Sequence, residues 1–395
     1  MLAQLKSLGV PMTGAEQSLA TCPGTVFFLT DEFIRRHWPL AELPEDQLGP
    51  TLKFAAEIRG NARWRLLAWH LYRYLMFTPI AQFGSEPIPD LLSGLGERSG
   101  MLYLLTALSL IPSYIERAKR EGFPVRYAEA GAKRIGSVTV FYAQLHNGAF
   151  GIRPSSLHFQ QHYHETATWR IGRFDFQIRP SGDPLPEIYR RGGEIAAFCP
   201  DGARLDAAGN CLPAVPADNR PAARTAQFIV DGSKVTGIPI DFHRGLALPG
   251  TRTIDLKNGW EALTGPDVWT LFFHIPGGGK MTPEKCRESF AEAKSFFRTY
   301  APDKDFRLIW SSSWIFNPLW LELLPESNMA ALIRRGRLFP SVAHSPNPGM
   351  YFVFGRDDGR PQDFNARNPV EKAVFQGWQE DKLRVCGFFL PTDEI

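Results

Sequence analysis

Residues 268–300 read V-W-T-L-F-F-H-I-P-G-G-G-K-M-T-P-E-K-C-R-E-S-F-A-E-A-K-S-F-F-R-T-Y. The first eight form a dense β-branched and aromatic run, which predicts a buried strand over 268–275. Three glycines and Lys280 then end the run. Thr282 suits a helix N-cap, and Pro283 the first helical position. Cys286, Phe290, Ala293 and Phe297 recur on one face of the helix that follows. The order is therefore strand, glycine loop, helix. Backbone N–H groups in such a loop approach an anion closely because no Cβ intervenes. The helix terminus adds partial positive charge and Lys280 a full one. Gly277, Gly278, Gly279, Lys280 and Thr282 are thus candidate phosphate-binding residues. The spacing is neither that of a P-loop nor a G-x-G-x-x-G fingerprint. A tight turn whose glycines serve only the backbone fits it as well.

Outward from this segment the pattern divides the chain. Upstream it is helical. Asn61 suits the cap of a helix carrying Trp64, Leu67, Leu71 and Leu75 on one stripe. Residues 101–111 are apolar on nearly all sides, which predicts a central helix, continued over 113–120 with a charged face. A further helix is predicted over 125–145, stopping near Asn147-Gly148. From about residue 168 extended structure takes over, with strands expected over 169–178, within 188–198 and 225–230, and over 307–316, 350–354 and 383–390. A helix over 369–378 has Asn368 as N-cap, Pro369 at N1 and Glu371 at N3. Residues 201–224 are rich in Pro, Ala, Gly, Asp and Asn and read as an irregular surface excursion. The expected architecture is α+β, with an all-helical domain over 1–165 and a mixed α/β domain over 166–395.

Composition narrows the function classes. The 395 residues carry a formal net charge of +3, too balanced for a broad nucleic-acid or anionic-membrane surface. Five cysteines, an odd number with no C-x-x-C pair, argue against a disulfide framework or zinc ribbon and for a reducing cytoplasm. The first ten residues lack an apolar signal core, and the run at 101–111 is too short to span a bilayer. The 35 Gly and 32 Pro are more than an average chain carries, and they concentrate in turns and in the 201–224 stretch.

Several stretches together resemble a bacterial acyltransferase family. They are H-I-P-G-G-G-K-M-T-P-E-K-C-R-E-S-F from His274, S-S-W-I-F-N-P-L from Ser312 and L-P-E-S-N-M from Leu324. G-M-L-Y-L-L-T-A-L-S, H-N-G-A-F-G, I-G-R-F-D-F and N-P-V-E-K-A-V-F-Q-G-W add to the likeness. The family pairs a helical N-acyltransferase N-terminal domain with a GNAT-like C-terminal domain. The resemblance covers most of the chain from about residue 100 and is sharpest over 268–328. It implies a mixed, partly splayed sheet with helices on both faces. It also implies acyl transfer from a thioester donor, acyl-CoA or an acyl-carrier protein, to a small-molecule amine or similar nucleophile. No metal, nucleic acid or membrane span is implied.

In GNAT enzymes the pyrophosphate of coenzyme A rests on the loop between a central strand and its following helix. The resemblance sets 276–280 in that place, although Pro-Gly-Gly-Gly-Lys departs from the usual Gln/Arg-x-x-Gly-x-Gly/Ala. His274 ends the strand, and an imidazole near its ordinary pKa of about 6.5 suits a general base. The tyrosine that protonates the leaving thiolate in many GNAT enzymes has no counterpart over 318–324. Ser313, Ser327 or solvent then takes that role. Two other readings fit parts of the chain. One is a non-catalytic acyl-CoA-binding or sensing protein. The other is a metal-dependent hydrolase using His158, His162 and His164, which lack the H-E-x-x-H pattern. Arg334, Arg335 and Arg337 suit a solvated helix end, a contact with a nucleotide 3′-phosphate or a contact with an acidic carrier protein.

Overall fold

The computed structural model describes residues 1–80, 87–166, 168–182, 184–213, 222–343, 345–356 and 359–395. The chain divides into two compact units, one of Met1–Ile171 with Ile275–Gly278, the other of Gly172–His274 with Gly279–Ile395.

The first unit is helical. Asn61 caps the helix Ala62–Phe77, its side chain accepting from the Arg63 and Trp64 N–H groups. Helix Ser99–Leu108 is the centre of this unit, with Leu102, Tyr103, Leu104, Leu105, Ala107 and Leu108 fully buried. The expected continuation over 113–120 is a separate helix, Ile111–Glu121, because Pro112 has no N–H to extend the one before it. The helix expected over 125–145 is likewise two, Val125–Ser137 and Thr139–Leu145, broken at Val138. The helix Pro154–Glu165 packs on Ser99–Leu108.

The second unit is built on a mixed sheet. Its strands are β1 (Phe174–Pro180), β2 (Trp269–His274), β3 (Phe306–Ser313), β4 (Arg337–Pro340) and β5 (Cys386–Pro391), in the spatial order β1-β2-β3-β5-β4. Only β2 and β3 are parallel, and the helix Pro283–Tyr300 makes the crossover between them. The single strand expected over 169–178 is interrupted at Gly172, whose φ of 56° turns the chain between Thr168–Ile171 and β1. A residue with a Cβ pays for that left-handed conformation, which glycine adopts freely.

Period-2 alternation assigns the two faces of the sheet. Phe174 and Phe176 of β1 and Phe273 of β2 pack on Phe290 of the crossover helix. Burial of each such ring contributes about 1.5–3 kcal/mol. The opposite face carries Leu308 and Trp310 of β3, Phe339 of β4 and Phe389 of β5. They form one core cluster with Leu185, Ile188, Ala197, Leu205 and Ile238. This cluster comes from strands and loops, so extended segments cover the face on which the resemblance implied helices. The 201–224 stretch belongs to that cover and is not a mere surface excursion. Arg204–Leu205, Cys211–Leu212 and Arg224–Thr225 form a small antiparallel sheet, and Leu205 is fully buried. The part at 214–221 lies outside the described residues. The strand expected over 350–354 is a one-turn helix, Met350–Phe354, entered through Gly349 at φ 95°. Asn368 and Glu371 form the expected capping box at the start of Pro369–Gln379.

Candidate active site

The β2–β3 ladder pairs Trp269 with Phe306, Leu271 with Ile309 and Phe272 with Trp310. β2 runs on to His274 and β3 to Ser313, so the parallel strands outlast their shared ladder at the carboxyl ends. Each stays paired on its outer side, His274 with Asp175 of β1 and Ser313 with Cys386 of β5. Strands that part in this way direct backbone N–H and C=O groups into a gap, where a ligand can satisfy them. The carboxyl end of parallel strands is also where open α/β sheets bind ligands.

Since Phe174 and Phe176 face the crossover helix, Asp175, Gln177 and Arg179 share the other face of β1. Across the ladder from them stand His274, Phe272 and Thr270. Asp175 is fully buried. The His274 ring meets Phe272 edge-on, with centroids 4.6 Å apart and planes at 83°. A cavity of about 1260 Å³ opens on this face, lined by Arg179, Phe272, Trp310, Ser312, Ser313 and Trp314 among others. His274 is not part of that lining, but its ring packs edge-on against Phe272, which is. The Arg179 guanidinium lies over the rings of Phe272 and Trp310, at 4.0 and 4.4 Å from their centroids. Burial pushes its pKa down to about 10. Trp310 is held in place by its indole N–H, which donates to Thr270 Oγ1 at 3.0 Å. Ser312 and Ser341 share a hydroxyl hydrogen bond of 2.7 Å on the cavity wall.

The glycine loop takes the shape its composition implies. Gly278 and Gly279 have φ of 73° and 76°, and both are exposed with Lys280. A Cβ on Gly277 would meet the Ser137 carbonyl oxygen at 3.1 Å. Thr282 caps the crossover helix, its hydroxyl accepting from the Lys285 N–H at 3.4 Å. Glu284 in the first turn already supplies an anion there. Its own backbone N–H, then the Thr282 hydroxyl, hold its carboxyl below the usual range. A phosphate bound at this terminus shares it with that carboxylate.

The two serines differ in setting. Ser313 lines the cavity, and its hydroxyl accepts from the Ile315 N–H at 3.3 Å. Ser327 caps the helix Asn328–Ile333, accepting from the Ala330 N–H at 3.1 Å. Arg334 donates to the Pro325 carbonyl, and Arg337 pairs with Glu394 at 2.8 Å. The three histidines lie on Pro154–Glu165. Burial holds His158 down to about 4 and lowers His164, whose Nε2 is 3.3 Å from the Met76 carbonyl oxygen. Among the described residues no three His, Cys, Asp or Glu side chains are grouped to hold a metal ion.

The strand-loop-helix unit, the partly opened parallel pair and the mixed sheet coincide with a family model for the GNAT-like C-terminal domain, which matches residues 168–387. The chain belongs to this family. No curated protein matches the chain in sequence. The GNAT-like fold is also seen in solved structures. An acyltransferase in complex with decanoyl-CoA and teicoplanin aligns with a TM-score of 0.58 at 15% identity, over 91% of this chain and 87% of its own. A mutant acyltransferase in complex with octanoyl-CoA aligns with the same score and identity, over 91% and 88%. An acyltransferase with CoA and 10C-teicoplanin gives 0.58, 15%, 91% and 87%. Among the described residues no helix is long and apolar enough to cross a membrane.

Within the GNAT-like domain, sequence reasoning reached His274 and the glycine loop but not Asp175, Arg179 or the Phe272–Trp310 rung. The missed signal was parity. Phe174, Phe176 and Ile178 alternate with Asp175, Gln177 and Arg179, so three polar side chains on one face were readable as a site wall.

Proposed function

We propose that this protein transfers an acyl group from a CoA thioester to an amine or similar nucleophile, with 1–165 a helical domain and 166–395 the transfer domain. The observation that carries the reading is the parting of β2 and β3 after Phe272 and Trp310. A pantetheine arm laid into such a gap adds the hydrogen bonds that the missing ladder leaves unmade. The acyltransferases of like fold that hold CoA, decanoyl-CoA and octanoyl-CoA support the choice of donor.

In this reading Gly277, Gly278, Gly279 and Lys280 hold the pyrophosphate, and the Thr282-capped terminus adds its dipole. The acceptor nitrogen attacks the thioester carbonyl, forming the N–C bond. A backbone N–H at the end of β2 stabilises the oxyanion. His274 takes the proton from nitrogen, and Asp175 across the ladder orients the imidazole. The C–S bond then breaks, and the thiolate takes a proton from water, directly or through the Ser313 hydroxyl, which regains its own from solvent. Amide and free CoA are the products, and no other reactant is needed.

The test is incubation of the full chain with octanoyl-CoA and a panel of primary amines, followed by mass spectrometry and thiol release. New amide with matching free CoA supports transfer. Tight CoA binding without amide from any amine points to the non-catalytic binding protein and overturns it.

A further inference from the structure

Arg179 has no function in the reaction as described, yet its setting is unusual for an arginine. Its guanidinium lies half-buried over two aromatic rings on the wall of the large cavity. Among the described residues no carboxylate pairs with it, and burial alone accounts for its lowered pKa. Asp201, the one carboxylate in the described lining, accepts instead from the Phe228 N–H at 2.9 Å. Arg204, the other cation there, donates to the Pro213 carbonyl at 2.6 Å. A partly desolvated guanidinium without an anion costs stability, and a bound anion recovers it through paired N–H donors. Packing against the two rings restricts its motion, so less entropy is lost when the anion arrives.

We propose that this cavity binds the acyl acceptor and that Arg179 pairs with a carboxylate carried by that acceptor. The acceptor's identity as such rests on the acyl-transfer reading, whereas the anion site does not. The guanidinium lies over the last paired rung, Phe272–Trp310, just where the parallel strands part. His274 is two residues further along, about 7 Å of strand. An acceptor held on Arg179 and attacking beside His274 carries its carboxylate and nucleophile about that far apart. An α-amino acid is too short, and an amine several bonds from its acid fits. The aromatic walls at Trp310, Trp314 and Phe352 select a flat or apolar body between the two groups.

Binding of 4-phenylbutyrate and of its neutral amide to the full chain, measured by titration calorimetry, tests the site without turnover. The acid is expected to bind at least about tenfold tighter than the amide. Arg179→Met keeps an apolar stem against the rings and brings the ratio to about one. Arg179→Lys retains part of the preference, which separates lost charge from lost folding. CoA affinity is expected to be the same in all three proteins. Equal binding of acid and amide by the wild type, or no binding of either, overturns the proposal. A loss of CoA affinity in Arg179→Met with the acid preference intact also overturns it and assigns the arginine to the donor. Acid preference without amide formation from octanoyl-CoA overturns only the transfer reading and leaves the anion site standing.

Discussion

Asp175 stands directly across the β1–β2 ladder from His274, at the last residue of β2, and its side chain is fully buried. Directly opposed residues of an antiparallel pair bring their Cβ atoms to about 5 Å, close enough for the carboxylate to fix the ring. If His274 is the base, His274→Gln lowers kcat for acyl transfer by about 10²–10³-fold. Asp175→Asn lowers it less, since it acts through the ring. The double variant is expected to be no slower than His274→Gln alone, because the pair works as a unit. Steady-state kinetics on the three variants, each shown folded by its melting curve, decide the matter. Multiplying effects would show that the two residues act independently.

At the glycine loop two charges of opposite sign compete for one anion. Lys280→Ala is expected to raise the KM for acyl-CoA several-fold, with a smaller effect at high salt because exposed charges are screened. Glu284→Gln removes the carboxylate that already occupies the helix start and is expected to lower that KM. Unchanged KM in both variants places the pyrophosphate elsewhere.

Acid sensitivity follows from His158. Burial depresses its folded pKa from about 6.5 to about 4. Between these values the unfolded chain binds a proton that the folded chain refuses. Stability is therefore fully present above pH 6.5 and declines as pH falls through the window, by up to about 1.4 kcal/mol per unit. His158→Phe is expected to lose less melting temperature than wild type between pH 7 and pH 5. Parallel declines in the two proteins would rule His158 out as the cause.

Gly349 is the point where the cavity rim depends on a missing Cβ. Its φ is 95°, and a Cβ there would lie 2.9 Å from Cε3 of Trp314. Trp314 in turn stacks on Phe352, with planes at 16° and centroids 6.3 Å apart. Gly349→Ala is expected to cost about 1–2 kcal/mol in backbone strain and to displace the indole. Differential scanning calorimetry reads the first effect and tryptophan fluorescence the second. A melting point and spectrum identical to wild type would count against this account of the rim.

Local chemistry was legible wherever the interacting groups are neighbours in the chain. The Asn61 cap, the Asn368–Glu371 capping box and the Thr282-Pro283 helix start each depend on groups within one turn. Local signals failed where the surroundings decide. Met350–Phe354 has strand-forming residues but folds as a helical turn after Gly349, since strand preference depends on a neighbouring strand to pack against. The alternation through Trp169–Ile178 hid the turn at Gly172, because one left-handed glycine can reverse a chain without disturbing the polarity pattern around it.

The order of strand, glycine loop and helix over 268–300, and the change from helical to extended patterning near residue 168, were written in local residue patterns. These depend on periodicity and on caps, which act over a few residues. Packing in three dimensions was needed to set Asp175 across from His274, to part β2 and β3 after Phe272 and Trp310, and to lay Arg179 over those two rings. Each joins segments far apart in the chain, and strand register brings them together. A one-residue slip would turn every one of those side chains to the other face.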